Sequence, residues 1–119
     1  MPRILVVEDE PLISMLIQDW LQELGHEVAG PARTEQAALD YLKKGQLDAA
    51  ILDIHLEDGE TYGLAGALRD QGVPVAFASG DGGPSAPGFE SHPVLHKPFD
   101  FAAVKSVLGK LLDGQPRQS

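Results

Sequence analysis

Short strand-like segments alternate along this chain with longer segments whose apolar residues recur at helical spacing. The strand-like segments lie at residues 4–7, 26–30, 48–53, 73–78 and 94–96. Short, nearly continuous apolar runs are typical of strands that are buried on both faces. Strands that alternate with helices form parallel sheets joined by right-handed crossovers. The alternation therefore predicts an α/β domain built on a five-stranded parallel sheet.

Three of the helical segments have recognisable ends. The first runs over residues 12–24 and stops at Gly25, and the second follows Thr34, a residue that caps helices, and ends near Gly45. The last helix begins after Asp100, which is also a capping residue. These signals predict helices on both sides of the sheet.

The rest of the chain is less regular. A helix over residues 60–71 is weaker, because Gly63 and Gly66 each cost about 1 kcal/mol there relative to alanine. Residues 79–92 are rich in Gly, Pro and Ser, and we expect a loop with at most one helical turn. We expect residues 114–119 to be a flexible tail, which leaves residues 1–113 as the folded domain.

The composition restricts what this chain can bind. Its 119 residues fit one domain, and the absence of cysteine excludes disulfides and thiolate metal sites. A net charge of -9 disfavours nucleic acid and anionic membranes. No apolar run approaches the ~20 residues that span a bilayer. We expect a cytoplasmic protein that is a monomer or a weak dimer.

Chemically active residues follow the predicted strands at their carboxyl ends. Glu8 and Asp9 follow the first strand, Asp53 ends the third, Ser79 follows the fourth and Lys97 follows the fifth. In parallel α/β sheets, binding sites form outside the carboxyl ends of the strands. The sequence therefore predicts three carboxylates, a hydroxyl and an ammonium in one cleft.

Such a cluster of carboxylates needs compensation. Two unit charges 4 Å apart repel by about 4 kcal/mol at an effective dielectric of about 20, so either the pKa values rise or a cation binds. Oxygen ligands without cysteine favour a hard cation, and Mg²⁺ is the natural choice. A carboxylate that remains free can attack a phosphoryl group and form an acyl phosphate. Lys97 and Ser79 would then stabilise the phosphoryl oxygens.

The motifs LVVEDEP, ILDIHLEDG, FASG and HKPF occur in this order and spacing between Ile4 and Leu112. Together they resemble the receiver domain of two-component response regulators. The resemblance implies a doubly wound, flavodoxin-like sheet of strand order 2-1-3-4-5. It also implies a domain that takes phosphate from a histidine kinase or a histidine phosphotransfer protein and acts on an unknown downstream protein.

The resemblance assigns individual roles. It makes Asp53 the phosphoacceptor and Lys97 and Ser79 its phosphoryl-binding partners, with a cis bond between Lys97 and Pro98. It makes Glu8, Asp9, Asp53 and the backbone carbonyl of His55 the Mg²⁺ ligands. In the family, the positions of His55 and Asp81 tune how fast the acyl phosphate hydrolyses.

The chain departs from the family pattern in several places. The usual Pro four residues after the phosphoacceptor is Glu57, and the usual aromatic residue three before the lysine is Val94. The fourth helix of the family is expected to be shortened or eroded within residues 79–92. The segment FASGD resembles a Phe-x-Thr-Gly-Tyr motif that occurs in a subgroup of stand-alone receivers, and we expect a stand-alone domain.

Three alternatives remain open from the sequence. A receiver-like interaction module that does not switch is favoured by Val94 and by the eroded fourth helix, and it is opposed by the complete acceptor set. A metal-dependent phosphatase would want a carboxylate at position 55, where this chain has His55. A flavin-binding module would need a phosphate-binding loop after the first strand, where residues 8–10 are acidic.

Overall fold

The computed structural model describes residues 2–57, 59–80, 84, 88–89 and 92–113. The strands are β1 (Arg3–Val7), β2 (Glu27–Ala32), β3 (Ala49–Asp53), β4 (His55–Leu56), β5 (Gly59–Glu60), β6 (Val75–Ser79) and β7 (Val94–His96). Five of them form a parallel sheet in the order β2-β1-β3-β6-β7. Counted along the sheet strands alone, this is the 2-1-3-4-5 order, so the predicted flavodoxin-like fold is confirmed.

The helices are α1 (Pro11–Glu23), α2 (Glu35–Lys44), α3 (Tyr62–Asp70) and α4 (Phe101–Asp113). The capping residues act as the sequence predicts. Thr34 Oγ1 accepts a hydrogen bond from Ala37 N at 3.1 Å, and Asp100 Oδ1 accepts one from Ala103 N at 2.9 Å. Within the described residues, none of these helices combines the length and apolarity needed to cross a membrane.

The helices cover the sheet on both faces and enclose two apolar clusters. One cluster joins α2 and α3 to one face, and the other joins α1 and α4 to the opposite face. Every residue of β3 and β6 is buried, which explains why these strands read as continuous apolar runs. The packing leaves the strand ends as the place where polar groups can gather.

Two parts of the fold differ from the prediction. Strand β2 continues to Ala32 through a cis Gly30–Pro31 bond, which an edge strand tolerates because its outer N–H groups need no partner. Gly30 has φ of +102°, and a Cβ there would lie 3.0 Å from the carbonyl oxygen of Val6. The antiparallel pair β4–β5 was not predicted, because strands of two residues carry no periodicity.

Helix α1 also buries fewer of its apolar residues than its pattern predicts. Its buried residues are Ser14, Ile17 and Leu21, whereas Leu12 and Leu16 are 65% and 40% exposed. The apolar stripe is wider than the face that contacts the sheet. Helix α1 therefore presents an apolar surface to solvent.

Several predictions fall outside the described residues. They concern the tail at residues 114–119, the role of Asp81 and most of the segment 79–92. Ser79 itself belongs to β6, and Phe89 is 7% exposed in the cluster that contains α2 and α3. The ring of Phe89 stacks on Tyr62 and meets Phe77 edge-on.

Candidate functional site

The carboxyl ends of β1, β3, β6 and β7 meet at one edge of the sheet. Glu8 directly follows β1, Asp53 and Ser79 are the last residues of β3 and β6, and Lys97 directly follows β7. Glu8 is 1% exposed, Asp53 6% and Ser79 2%. Because parallel neighbouring strands end side by side, the sheet order alone brings these residues together.

The Lys97 ammonium lies at the centre of this group. Its Nζ is 3.1 Å from Asp53 Oδ2, 3.2 Å from Glu8 Oε2 and 3.2 Å from Glu10 Oε1. The backbone N–H of Lys97 donates to the carbonyl of Ser79 at 2.8 Å, which fixes the start of its side chain beside β6. The predicted cis bond between Lys97 and Pro98 is confirmed.

The buried charges alter each other's pKa. The pKa of Glu8 is raised to about 7, first by burial and then by the hydrogen bond and the charge of Asp53, and these causes outweigh the lowering by the Glu10 N–H and by Lys97. Burial by itself would lower the pKa of Lys97, but the charges of Glu8 and Asp53 outweigh it and the pKa rises. The neighbouring carboxylate of Asp53 therefore contributes to the raised pKa of Glu8, although burial is the larger cause.

The oxygen atoms of this cleft fit a small divalent cation. One carboxylate oxygen each from Glu8, Glu10 and Asp53 lies within 4.8 Å of the others. Oε2 of Glu8 is buried and accepts no hydrogen bond, so its charge is met by Lys97. A hard cation with oxygen ligands is what such a donor set favours.

The sequence reasoning did not identify Glu10 as a member of this group. In the sequence, Glu10 is only one of three consecutive acidic residues that would repel a phosphate group. The available signal was its position directly after Glu8 and Asp9, where the chain turns from β1 into α1. The turn directs the Glu10 side chain back towards Lys97.

Asp9 points elsewhere. It is not one of the three carboxylates grouped above, and its Oδ2 accepts a hydrogen bond from the backbone N–H of Glu57 at 3.0 Å. Its role as a direct Mg²⁺ ligand stays a prediction. Glu57 stands where the family pattern has Pro, and a Pro could not donate this bond.

The backbone around Asp53 is held by two donors. The N–H of His55 donates to Asp53 Oδ1 at 3.2 Å, and the buried Thr61 hydroxyl donates to the Asp53 carbonyl at 2.8 Å. The first bond occupies Oδ1, and Oδ2 contacts Lys97. Thr61 was missed because no motif marks a residue eight positions beyond Asp53. The carbonyl of His55 as a metal ligand stays a prediction.

An apolar surface adjoins this cleft. A cavity of about 110 Å³ is lined by Leu16 and Trp20 of α1 and by Lys97 and Pro98 after β7. Leu12 and Met15, 65% and 52% exposed, extend this surface along α1. The ring of Trp20 meets that of Phe99 edge-on at 6.4 Å, so Trp20 packs at the rim of the core.

Comparison with known proteins gives consistent matches. Residues 4–108 match the response regulator receiver domain. The phyllosphere-induced regulator PhyR of Methylorubrum extorquens is 36% identical over 116 residues, covering 92% of this chain and 43% of that protein. The solution structure of SdrG from Sphingomonas melonis Fr1 is 38% identical, with a TM-score of 0.84 over 94% of this chain and 97% of that chain. The crystal structure of TrrA from Thermotoga maritima in complex with Mg(2+)-BeF is 30% identical, with a TM-score of 0.77 over 94% of this chain and 100% of that chain.

The matched residues include every strand end that supplies the cleft, from Glu8 to Lys97. This chain spans less than half of the length of PhyR, so the similarity concerns the domain and not the whole of that protein. The fold, the cleft and the family match agree. The chain belongs to the response regulator receiver domain family, whose members are signalling modules.

Proposed function

We propose that this domain accepts a phosphoryl group on Asp53 from a phosphohistidine donor in a Mg²⁺-dependent reaction, and that phosphorylation changes its contacts with a downstream protein. The observation that carries the proposal is the Lys97 ammonium 3.1 Å from Asp53 Oδ2. An ammonium in that position can neutralise the negative charge of a phosphoryl group that is attached to this oxygen of Asp53. The burial of Asp53 excludes much of the competing water.

The proposed transfer is a single displacement. A carboxylate oxygen of Asp53 forms a P–O bond while the P–N bond of phosphohistidine breaks. The electron pair of the P–N bond leaves on the imidazole nitrogen, and the product is neutral imidazole when the other ring nitrogen carries the proton. Lys97 donates to one phosphoryl oxygen, and the Ser79 hydroxyl at the end of β6 is proposed to donate to another.

Glu8 and Asp53 are the carboxylates proposed to hold Mg²⁺, with Asp9 and the carbonyl of His55 as the further ligands that the family pattern predicts. When bound, Mg²⁺ supplies positive charge that offsets the charge of the phosphoryl oxygens. The grouping of Glu8, Glu10 and Asp53 oxygens within 4.8 Å supports this assignment. Mg²⁺ suits it because it binds through one or two carboxylates and phosphate oxygens.

The apolar surface of α1 supports a protein as the phosphoryl donor. Leu12, Met15 and Leu16 are exposed on the helix that begins directly after Glu10. Leu16 also lines the cavity that reaches Lys97. A histidine kinase or a histidine phosphotransfer protein that docks there would bring its phosphohistidine to the acceptor cleft.

Intact-mass spectrometry tests the proposal. The protein is incubated with phosphoramidate and Mg²⁺, and separately with a phosphorylated histidine phosphotransfer protein. We expect one phosphoryl adduct on the wild type. The adduct should not form when EDTA is added before the phosphoryl donor, and it should not form on Asp53→Asn. Asp70→Asn removes an exposed carboxylate at the end of α3 and should label like the wild type. Full labelling of Asp53→Asn would refute the acceptor assignment.

A second candidate function is an interaction module that binds phosphate without switching. Val94 favours it, because the half-buried position in β7 lacks the aromatic side chain of the family pattern. An NMR titration with Mg²⁺ and then beryllofluoride separates the two. Shifts that spread from Asp53 to Val94 and α4 indicate a switch, whereas shifts confined to the acidic cleft indicate a module that does not transmit.

A further inference from the structure

Glu10 differs from the other two carboxylates that contact Lys97. Its side chain is 59% exposed, whereas those of Glu8 and Asp53 are 1% and 8% exposed. Glu10 occupies the N-cap position of α1, yet its side chain caps no helix N–H. Its backbone N–H donates to Glu8 Oε1 at 3.2 Å, and its carboxylate accepts from Lys97 at 3.2 Å. The Glu10 carboxylate therefore contacts Lys97 and does not cap the helix.

The Lys97 ammonium is surrounded by carboxylates before any phosphoryl group binds. It donates hydrogen bonds to Glu10 and Asp53, and the buried carboxylate of Glu8 lies 3.2 Å away as an ion pair. A phosphoryl group that binds Lys97 therefore competes with these carboxylates. Asp53 is the acceptor itself and Glu8 is buried, so the exposed Glu10 is the partner that can leave.

We propose that Glu10 is a positioning residue of the acceptor cleft: it holds the Lys97 ammonium in the phosphate-free domain and yields it to the phosphoryl group. The inference rests on the proposed function. The same carboxylate adds negative charge where a cation would bind, since its oxygen lies within 4.8 Å of oxygens of Glu8 and Asp53. Glu10 therefore favours the cation and disfavours the anion.

This double role predicts two effects of opposite sign for Glu10→Gln. The substitution keeps an oxygen that can accept from Lys97 but removes the charge. The dissociation constant for Mg²⁺ alone should rise by about three- to tenfold, because one nearby negative charge is lost. At saturating Mg²⁺, the apparent dissociation constant for beryllofluoride should fall by about threefold or more, because Lys97 is released more easily.

The fluorescence of Trp20 provides the readout for both titrations, because Trp20 lines the cavity that Lys97 also lines. Glu23→Gln is the matched control, since it removes an equal charge from an exposed position at the other end of α1. Glu23→Gln should leave both constants within about twofold of the wild type. Glu10→Ala also removes the contact with Lys97. Like Glu10→Gln, it should raise the dissociation constant for Mg²⁺ and lower that for beryllofluoride.

The outcomes separate this inference from the proposed function. If the wild type binds Mg²⁺ and beryllofluoride but both constants of Glu10→Gln stay at wild-type values, the inference is wrong and the function stands. If the dissociation constants of Glu10→Gln for Mg²⁺ and for beryllofluoride both rise or both fall, Glu10 is a structural residue and the inference is again wrong. If the wild type binds neither ligand, the proposed function fails and the role of Glu10 fails with it.

Discussion

The backbone N–H of Glu57 donates to Oδ2 of Asp9 at 3.0 Å. This bond exists because the chain has Glu where the family pattern has Pro, which has no N–H. It joins the loop after β4 to the turn after β1, and Asp9 is not one of the three carboxylates that group together, which are Glu8, Glu10 and Asp53. If Asp9 binds Mg²⁺ through Oδ2, this oxygen must give up the bond when the ion binds.

Replacing Glu57 tests this competition. Glu57→Pro removes the donor, so Mg²⁺ no longer has to break a hydrogen bond of about 1 kcal/mol, and we expect up to about fivefold tighter Mg²⁺ binding. Glu57→Ala loses the side chain but keeps the N–H and should bind Mg²⁺ like the wild type. Isothermal titration calorimetry measures both. Weaker binding by Glu57→Pro alone would mean that the bond positions Asp9 for the ion.

The raised pKa of Glu8 predicts how stability depends on pH. Its folded pKa of about 7 lies above the ordinary value of 4.5, so the folded state holds a proton that the unfolded state releases. Without Mg²⁺, the domain should lose up to about 3 kcal/mol of stability as the pH rises from 4.5 to above 7. Urea denaturation across this range measures the loss.

Glu8→Gln provides the control for this pH effect. The amide does not titrate, so the slope of stability against pH between 4.5 and 7 should largely disappear. Saturating Mg²⁺ should also flatten the slope in the wild type, because the ion holds the carboxylate deprotonated. An equal slope in wild type and variant would assign the dependence to another group.

The sequence predicted the parts of the molecule that depend on pattern. Apolar runs identified the sheet strands, and Thr34 and Asp100 marked the starts of helices through their side-chain caps. The site residues Glu8, Asp53 and Lys97 could be identified because strand ends in a parallel sheet share one edge. Each of these features follows from periodicity or topology.

The remaining features depend on how loops turn, which no period encodes. Glu10 reaches Lys97 because the chain reverses between β1 and α1, and Thr61 reaches the Asp53 carbonyl because β4 pairs antiparallel with β5. Leu12 belongs to the apolar residues that recur at helical spacing in α1, yet it is exposed. Periodicity identifies the apolar stripe of a helix, but it does not show how much of that stripe is covered by the sheet.

Thr61 should contribute measurably to the stability of the acceptor loop. Its hydroxyl donates to the Asp53 carbonyl at 2.8 Å, and the residue is fully buried. Thr61→Val keeps the shape but removes the donor, so we expect a loss of about 1–3 kcal/mol in the free energy of unfolding. Thr61→Ser keeps the donor and should lose less. Urea denaturation distinguishes them, and equal losses would show that the methyl group contributes as much as the hydrogen bond.

The exposed apolar face of α1 makes a prediction about the phosphoryl donor. Leu12 is 65% exposed, so Leu12→Lys should fold normally and accept phosphate from phosphoramidate at the wild-type rate. Transfer from a phosphorylated histidine phosphotransfer protein should slow by about tenfold, because a leucine contact worth about 1.5 kcal/mol is lost. Gln22→Lys places the same charge at an exposed position near the other end of α1 and is the control. Rapid-quench measurements with phosphoramidate and with the phosphorylated protein give the ratio of the two transfer rates for each variant. Equal slowing by Leu12→Lys and Gln22→Lys would assign the effect to charge and not to docking on this face.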